Sequence, residues 1–257
     1  MNFQIARIAL RTLVTKEVTR ILRIWVQTLI PPVITMSLYF LIFGRLVGSR
    51  IGEVQGYTYM EFIVPGLILM SVITNSYSNV VSSFFGARFG KSIAEILVAP
   101  VPNSVIIAGY SVGGMVRGLL VGFLVACVSL FFSGVRIHNL AVLVGTIILT
   151  SGIFTQAGFL NALFARKFDD VSIVPTFILT PLTYLGGIFY SVEMLPEPFY
   201  TLSLLNPILY MINACRYGFL GISDIRIEYA FAGGVLFFVA LFFLNLFIMR
   251  RGYGIRS

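Results

Sequence analysis

A helix needs roughly twenty consecutive apolar residues to cross the hydrocarbon core of a bilayer. This sequence holds such runs at 24–43, 62–85, 105–132, 140–165, 171–190 and 229–249. Composition points the same way. Hydrophobic residues make up 58% of the chain and charged residues only 11%, whereas soluble domains carry about a quarter charged residues. The fold expected is an all-α integral membrane protein with six transmembrane helices in a single domain spanning 1–257. A seventh candidate, 205–222, contains Asn206, Pro207, Asn213 and Arg216. These are costly on a lipid-facing helix, so the segment reads as re-entrant, its polar groups buried against protein.

The net charge of +8 is a topology signal. With the N-terminus in the cytoplasm, the inside holds Arg7, Arg11, Lys16, Arg20, Arg23, Arg88, Lys91, Arg166, Lys167, Arg250, Arg251 and Arg256. The outside holds Arg45, Arg50, Arg136, Arg216 and Arg226. Basic residues concentrate on the cytoplasmic side of membrane proteins, and an even number of spans returns both basic ends to that side. The charge therefore calls for no nucleic-acid partner. Residues 1–23 lack the cleavage site of a signal peptide and read as an amphipathic helix lying on the inner membrane face. Arg7 and Arg11 share one helical face while Lys16, Arg20 and Arg23 share another, so a bend or twist is expected near Thr12–Thr15. Residues 191–228 form a long external connection. Two separated cysteines, Cys127 and Cys215, and the single His138 supply neither a disulfide framework nor a zinc site.

Residues 86–92, GARFGKS, fall one residue short of the phosphate-binding pattern G-x-x-x-x-G-K-[ST]. A phosphate loop joins a strand to a helix, but here the preceding VVSSFF closes a membrane span. Asp169-Asp170, the acid pair closest at hand, occupies a very short connection. Nucleotide binding by this chain is therefore not expected, nor any other bound cofactor. Extended, the stretch reads as a turn bracketed by Gly86 and Gly90, then a short surface helix. Ile93, Ile96 and Leu97 share its apolar face, Lys91 and Glu95 lie opposite, and Pro100 and Pro102 end it. Such a helix either rests on lipid or docks a cytoplasmic partner.

The chain resembles the membrane subunits of the ABC-2 class of ABC exporters. The resemblance is carried by RIWVQTLIPPVITMSLYFLIFG, YMEFIVPGLILMSVITNSYSNVVSSFFGARF, ILVAPVPNSVIIAGY, KFDDVSIVPTFILTPLTYLGGIFYS and LNPILYMINACRYGFLGI, which run over nearly the whole chain. It implies a homodimer in the bacterial inner membrane, joined to two copies of a separate cytoplasmic ATPase that binds ATP and Mg. It implies that 86–102, with Arg88, Lys91, Ile93, Glu95, Ile96 and Leu97, is a coupling helix between spans two and three that touches the ATPase. The N-terminal helix would be a second contact, and 191–228 would form external re-entrant helices. In similar exporters the second and fifth helices line the route.

Two polar stripes fall on those helices. On the second span Ser71, Asn75, Ser78, Asn79 and Ser82 recur at helical spacing, and on the fifth Thr176, Thr180 and Thr183 do so. Each stripe can line a path or bond helix to helix. Neither holds a fixed charge, which fits an amphipathic, lipid-linked, glycan-like or drug-like substrate. Gly114, Gly118 and Gly122 form a small-residue ridge for close helix packing. Arg117 beside it is expected to snorkel to the interface, Glu61 to be solvated, and Asp169 and Asp170 to cap the fifth helix, which Pro175 and Pro181 perturb. An ion-gradient-driven secondary transporter would show inverted repeats and intramembrane acids, and a membrane enzyme a convergent His, Asp or Ser constellation. The sequence displays neither. The expected function is a permease subunit without its own ATPase site.

Overall fold

The computed structural model describes residues 3–134 and 137–252; Arg136 and Arg256, used in the charge count above, lie outside them. Helix α1 (Phe3–Arg23) runs unbroken through Thr12–Thr15. The expected bend there is absent, and the break falls at Ile24, with φ −112° and ψ 33°. The first span then carries α2 (Trp25–Tyr39), which tolerates Pro31 and Pro32, a π-helical stretch (Phe40–Val47) and α3 (Gly48–Ile51). Gly44 lies under the Met60 side chain, which leaves no space for a Cβ.

A small β-hairpin follows, an exception to the all-α expectation. Strands β1 (Glu53–Val54) and β2 (Tyr57–Thr58) pair antiparallel with Glu53 opposite Thr58. Gln55 at φ 52° and Gly56 at φ 80° form the two-residue turn, both in the left-handed region such hairpins need. Thr58 and Glu61 then make a reciprocal capping box that starts α4 (Tyr59–Phe89). Glu61 is thus engaged as a cap, not simply solvated.

Helix α4 is the axis of the bundle. It is buried on nearly every face, packed by α6 (Asn103–Ser129), α7 (Leu140–Phe164) and α11 (Pro207–Leu220). Between α4 and α6 lies the short α5 (Ile93–Val98). Helix α12 (Ile227–Arg250) closes the far side against α7 and α11. Two apolar cores divide the length. One surrounds the first half of α4 with α7 and α11; the other joins its second half to α1, α6 and α7.

Among the described residues, five helices are long and apolar enough to cross a membrane: Trp25–Ile51, Tyr59–Phe89, Asn103–Ser129, Leu140–Phe164 and Ile227–Arg250. The expected fifth span, 171–190, is helical over 168–184, shorter than the five above and interrupted by a π turn. It consists of α8 (Phe168–Val174), a π turn (Pro175–Leu179) and α9 (Thr180–Tyr184), of seven, five and five residues. Pro175 and Pro181 cannot donate to the helical ladder, and Gly187 at φ 79° turns the chain away. A 3₁₀ turn (Val192–Met194) and α10 (Phe199–Leu204) lead into α11.

Candidate functional site

The polar stripe of α4 does not act as one surface. Its inward members, Asn75 and Asn79, are buried, whereas Ser78 is half-buried and Ser82 is exposed. Ser71 donates to its own helix at Ile68 O (2.6 Å), and Asn75 Nδ2 to Ser71 O (2.9 Å). The carbonyl oxygens of both Asn side chains accept from arginines on other helices. Arg117 Nη2 of α6 donates to Asn75 Oδ1 (3.2 Å), and Arg20 Nη2 of α1 to Asn79 Oδ1 (2.9 Å). Arg117 therefore does not snorkel; it turns inward to α4. The stripe, expected to hold no charge, carries two guanidinium groups.

A buried acid completes this cluster. Glu17 is fully buried. Its carboxylate accepts from Arg20 Nη2 (3.0 Å) and Ser83 Oγ (2.6 Å). Sequence reasoning grouped α1 by its basic faces and passed over Glu17. The signal was an isolated acid on a basic helix, one turn after Leu13 and one before Ile21. Those three residues form the buried face of α1. Leu13 lies over Gly109 and Glu17 over Gly113, so α1 and α6 advance side by side. The helix expected to lie on lipid is docked into the bundle along this face.

The glycine ridge of α6 faces two neighbours. Gly114 meets Val80 and Thr155, Gly118 meets Ser76 and Ser151, and Gly122 meets Val72. Ser76 and Ser151 hydrogen-bond across the space that Gly118 leaves (2.8 Å). On the fifth segment Thr176 and Thr180 are exposed and Thr183 is buried. Thr180 Oγ1 donates to Pro175 O (2.9 Å) and Thr183 Oγ1 to Leu179 O (2.6 Å), each occupied by the irregular turn of its own helix. The segment meets α4 chiefly through α8, so one chain does not bring the two polar stripes into a common lining.

The segment 86–102 differs in detail from expectation. Gly86 and Gly90 belong to the end and cap of α4, and the left-handed residue of the turn is Lys91, at φ 59°. Ser92 Oγ closes back on Ala87 O (3.3 Å). Ile93 is buried and Ile96 half-buried, but Leu97 joins Lys91, Glu95 and the 87%-exposed Val98 on the outer surface. Arg88 points away from that surface. Its guanidinium donates to Ala162 O and Leu163 O at the end of α7. Phe85, Phe89 and Phe168 form a ring cluster, with Phe89 and Phe168 4.7 Å apart, which joins the end of α4 to the start of α8. At that start the Asp170 carboxylate accepts from the backbone N–H of Arg166 (2.8 Å) and Lys167 (3.0 Å). These two bonds hold its pKa below the ordinary aspartate value.

At the opposite end, Arg216 is wholly buried in α11, against its assignment as an outside charge. Its Nη2 donates to Gly187 O (2.6 Å), its guanidinium stacks on Phe62 (3.9 Å to the ring centre), and Asp224 lies 3.8 Å away. The Asp224 carboxylate also accepts from Gln55 Nε2, Ser191 Oγ and Val192 N–H, while its own N–H donates to Asn213 Oδ1. The polar residues of 205–222 are thus paired inside protein, and α11 is fastened to the hairpin and to the chain after α9.

Among the described residues no cluster of His, Cys, Asp and Glu could hold a metal, and Cys127 and Cys215 are free thiols. Comparison with known proteins agrees with a membrane bundle of this kind. The ABC-2 type transporter family matches residues 8–220. The chain is 57% identical over 250 residues to the inner membrane transport permease YadH of Escherichia coli K12, covering 97% of this chain and 98% of that protein. It is 23% identical over 215 residues to nodulation protein J of Rhizobium leguminosarum bv. trifolii, covering 83% of this chain and 82% of the relative. The chain therefore belongs to the ABC-2 type transporter family, as the membrane subunit of an ABC transporter.

Proposed function

We propose that this protein is the permease of an ATP-driven exporter in the bacterial inner membrane, with both termini in the cytoplasm. Two copies would pair, bringing the exposed edges of α4 and of the α8–α9 segment toward one path. Two copies of a separate ATPase would bind ATP and Mg and carry out hydrolysis. The substrate class is amphipathic: lipid-linked, glycan-like or drug-like. The fifth segment, with its π turn and two prolines, is the element that tilts.

The observation that carries this reading is the segment 86–102. It presents Lys91, Glu95, Leu97 and Val98 outward while Ile93, Arg88 and the phenylalanine cluster tie it to α7 and α8. A partner pressing on α5 would move the fifth segment through those contacts. The test is co-purification with the ATPase encoded nearest to this chain. Leu97→Asp with Val98→Asp should reduce transport by at least about tenfold, the loss of one or two buried apolar contacts at an interface, while the permease stays folded. Lys91→Ala should leave nucleotide binding by the complex unchanged. Failure to associate with any ATPase would end the reading.

A second reading, ion-gradient-driven transport, gains one observation: Glu17 is a buried acid within the bundle. Its bonds to Arg20 and Ser83 favour a role in fastening α1 to α4 over one in ion coupling. Transport driven by a proton gradient in proteoliposomes lacking ATP would reverse that preference.

A further inference from the structure

The cluster joining α1, α4 and α6 is unbalanced. It contains two arginines, Arg20 and Arg117, and one carboxylate, Glu17, which is spent on Arg20 and Ser83. Arg117 donates only to a neutral amide, that of Asn75, and among the described residues no acid pairs with it. Three further donors are buried without a partner among the described residues: Arg20 Nε, Arg117 Nε and Asn79 Nδ2. A surplus positive charge in a membrane bundle, together with unfilled donors, is costly unless an anion completes it.

The geometry describes that anion. Asn75 and Asn79 stand one helical turn apart, so the two guanidinium groups reach adjacent turns of α4 from α1 and α6. That spacing lets one tetrahedral group with several acceptor oxygens bridge both forks, and guanidinium groups recognise phosphate in this way. The orphaned donors themselves are buried, but the edge of the cluster reaches the surface. The Arg20 side chain keeps 29% of its exposure, Arg117 and Ser78 are half-buried, and Ser82 and Thr74 are exposed along the same edge of α4. Arg117 lies ~20 Å along α6 from Asn103, near the middle of that helix. Such a depth suits the head of a molecule whose tail lies in the lipid.

We infer that Arg20 and Arg117, with Asn79, bind the phosphate ester of an amphipathic ligand that enters along the exposed edge of α4. This rests on the permease reading for the ligand's role as substrate, and it adds a required negative charge to the substrate class.

Trp25, the sole tryptophan of the chain, provides the readout. It is half-exposed at the junction of α1 and α2, five residues beyond Arg20. The full-length permease is placed in phosphatidylcholine vesicles. Quenching of Trp25 is then compared between brominated phosphatidic acid and brominated phosphatidylcholine. The expected result is a preference for phosphatidic acid of about tenfold, the usual worth of a charge-assisted contact. Arg117→Gln should abolish it. So should Asn79→Asp, which keeps an acceptor for Arg20 and supplies the missing charge from within. The exposed Arg11→Gln should retain it. Inorganic phosphate and glycerol 3-phosphate are added as competitors. Displacement identifies a water-soluble phosphate ester as the source, and its absence identifies a lipid head group. Equal quenching by the two lipids, or a preference that survives in both Arg117→Gln and Asn79→Asp, overturns the site. The measurement needs no ATPase. Loss of ATPase association with the lipid preference intact would sink the exporter alone.

Discussion

Two arginine clusters lie at different depths of the bundle, and they are built differently. Around Arg216 the account of charge closes, one acid to one arginine, although Arg216 Nε and Nη1 are left without hydrogen-bond partners among the described residues. The guanidinium has an acid, a carbonyl and an aromatic face, and the acid has donors from three further residues. Around Arg20 and Arg117 the charge does not balance: two cations share one acid, and here too donor atoms are left over. A buried ionic group that is fully paired fastens chain segments together, whereas one left short of counter-charge keeps a place for something else. The contrast separates an anchoring role from a binding role without reference to any relative.

The comparison can be broken by mutation. The largest expected effect is at the paired cluster. Arg216→Ala strands the buried Asp224 carboxylate and should lower stability by about 3–5 kcal/mol, read as the unfolding midpoint in detergent. Adding Asp224→Ala should recover part of that loss. If the double variant is as unstable as the sum of the two single ones, the two side chains are not coupled.

Glu17→Gln should cost less, about 1–3 kcal/mol, because Arg20 is partly exposed and the amide still accepts from Ser83. Arg117→Gln should cost under about 1 kcal/mol, since the new amide can still donate to Asn75. An Arg117 variant as damaging as Arg216→Ala would show that both clusters are fastenings.

The smallest effect sharpens the comparison from outside both clusters. Asp170 receives two backbone N–H bonds, as Asp224 receives one, and the charges of Lys167 and Arg166 add to them without a salt bridge being formed among the described residues. Its folded-state pKa is depressed, so its contribution is fully present above the unfolded value of about 3.9. That contribution is lost as pH falls through the lower folded value. Protection of the Arg166 and Lys167 amides from hydrogen exchange should weaken only below about pH 4. In Asp170→Asn that pH dependence should vanish.

The spans of α2, α4, α6, α7 and α12 were legible because a long apolar run has few alternatives in a chain this hydrophobic. The fifth segment was legible only as perturbed. Pro175 and Pro181 announced a disturbance, but the π turn and the early end at Tyr184 depend on what Thr180 and Gly187 do in three dimensions. The hairpin went unseen because its turn uses Gln55 at positive φ, where Asn or Gly is the usual signal. The charged cluster was hidden for another reason. Asn75, Arg117, Arg20 and Glu17 lie on three helices, and no local period reveals that Arg117 turns toward α4. Leu97 illustrates the limit of helical periodicity on a six-residue helix, where the packing of Ile93 and Ile96 sets which face is buried.

Lys91 has a mechanical consequence. Its backbone sits at φ 59°, a conformation that costs a non-glycine residue on the order of 1 kcal/mol and that few side chains adopt. Glycine there would move freely between several basins; lysine has little room to relax. With Pro100 and Pro102 constraining the far side, α5 is mounted between two stiff joints. In the proposed exporter, a load applied to α5 would be passed to α4 and α6 as displacement instead of being absorbed by the turn. Lys91→Gly would convert the joint into a damper while leaving every side-chain contact of α5 in place.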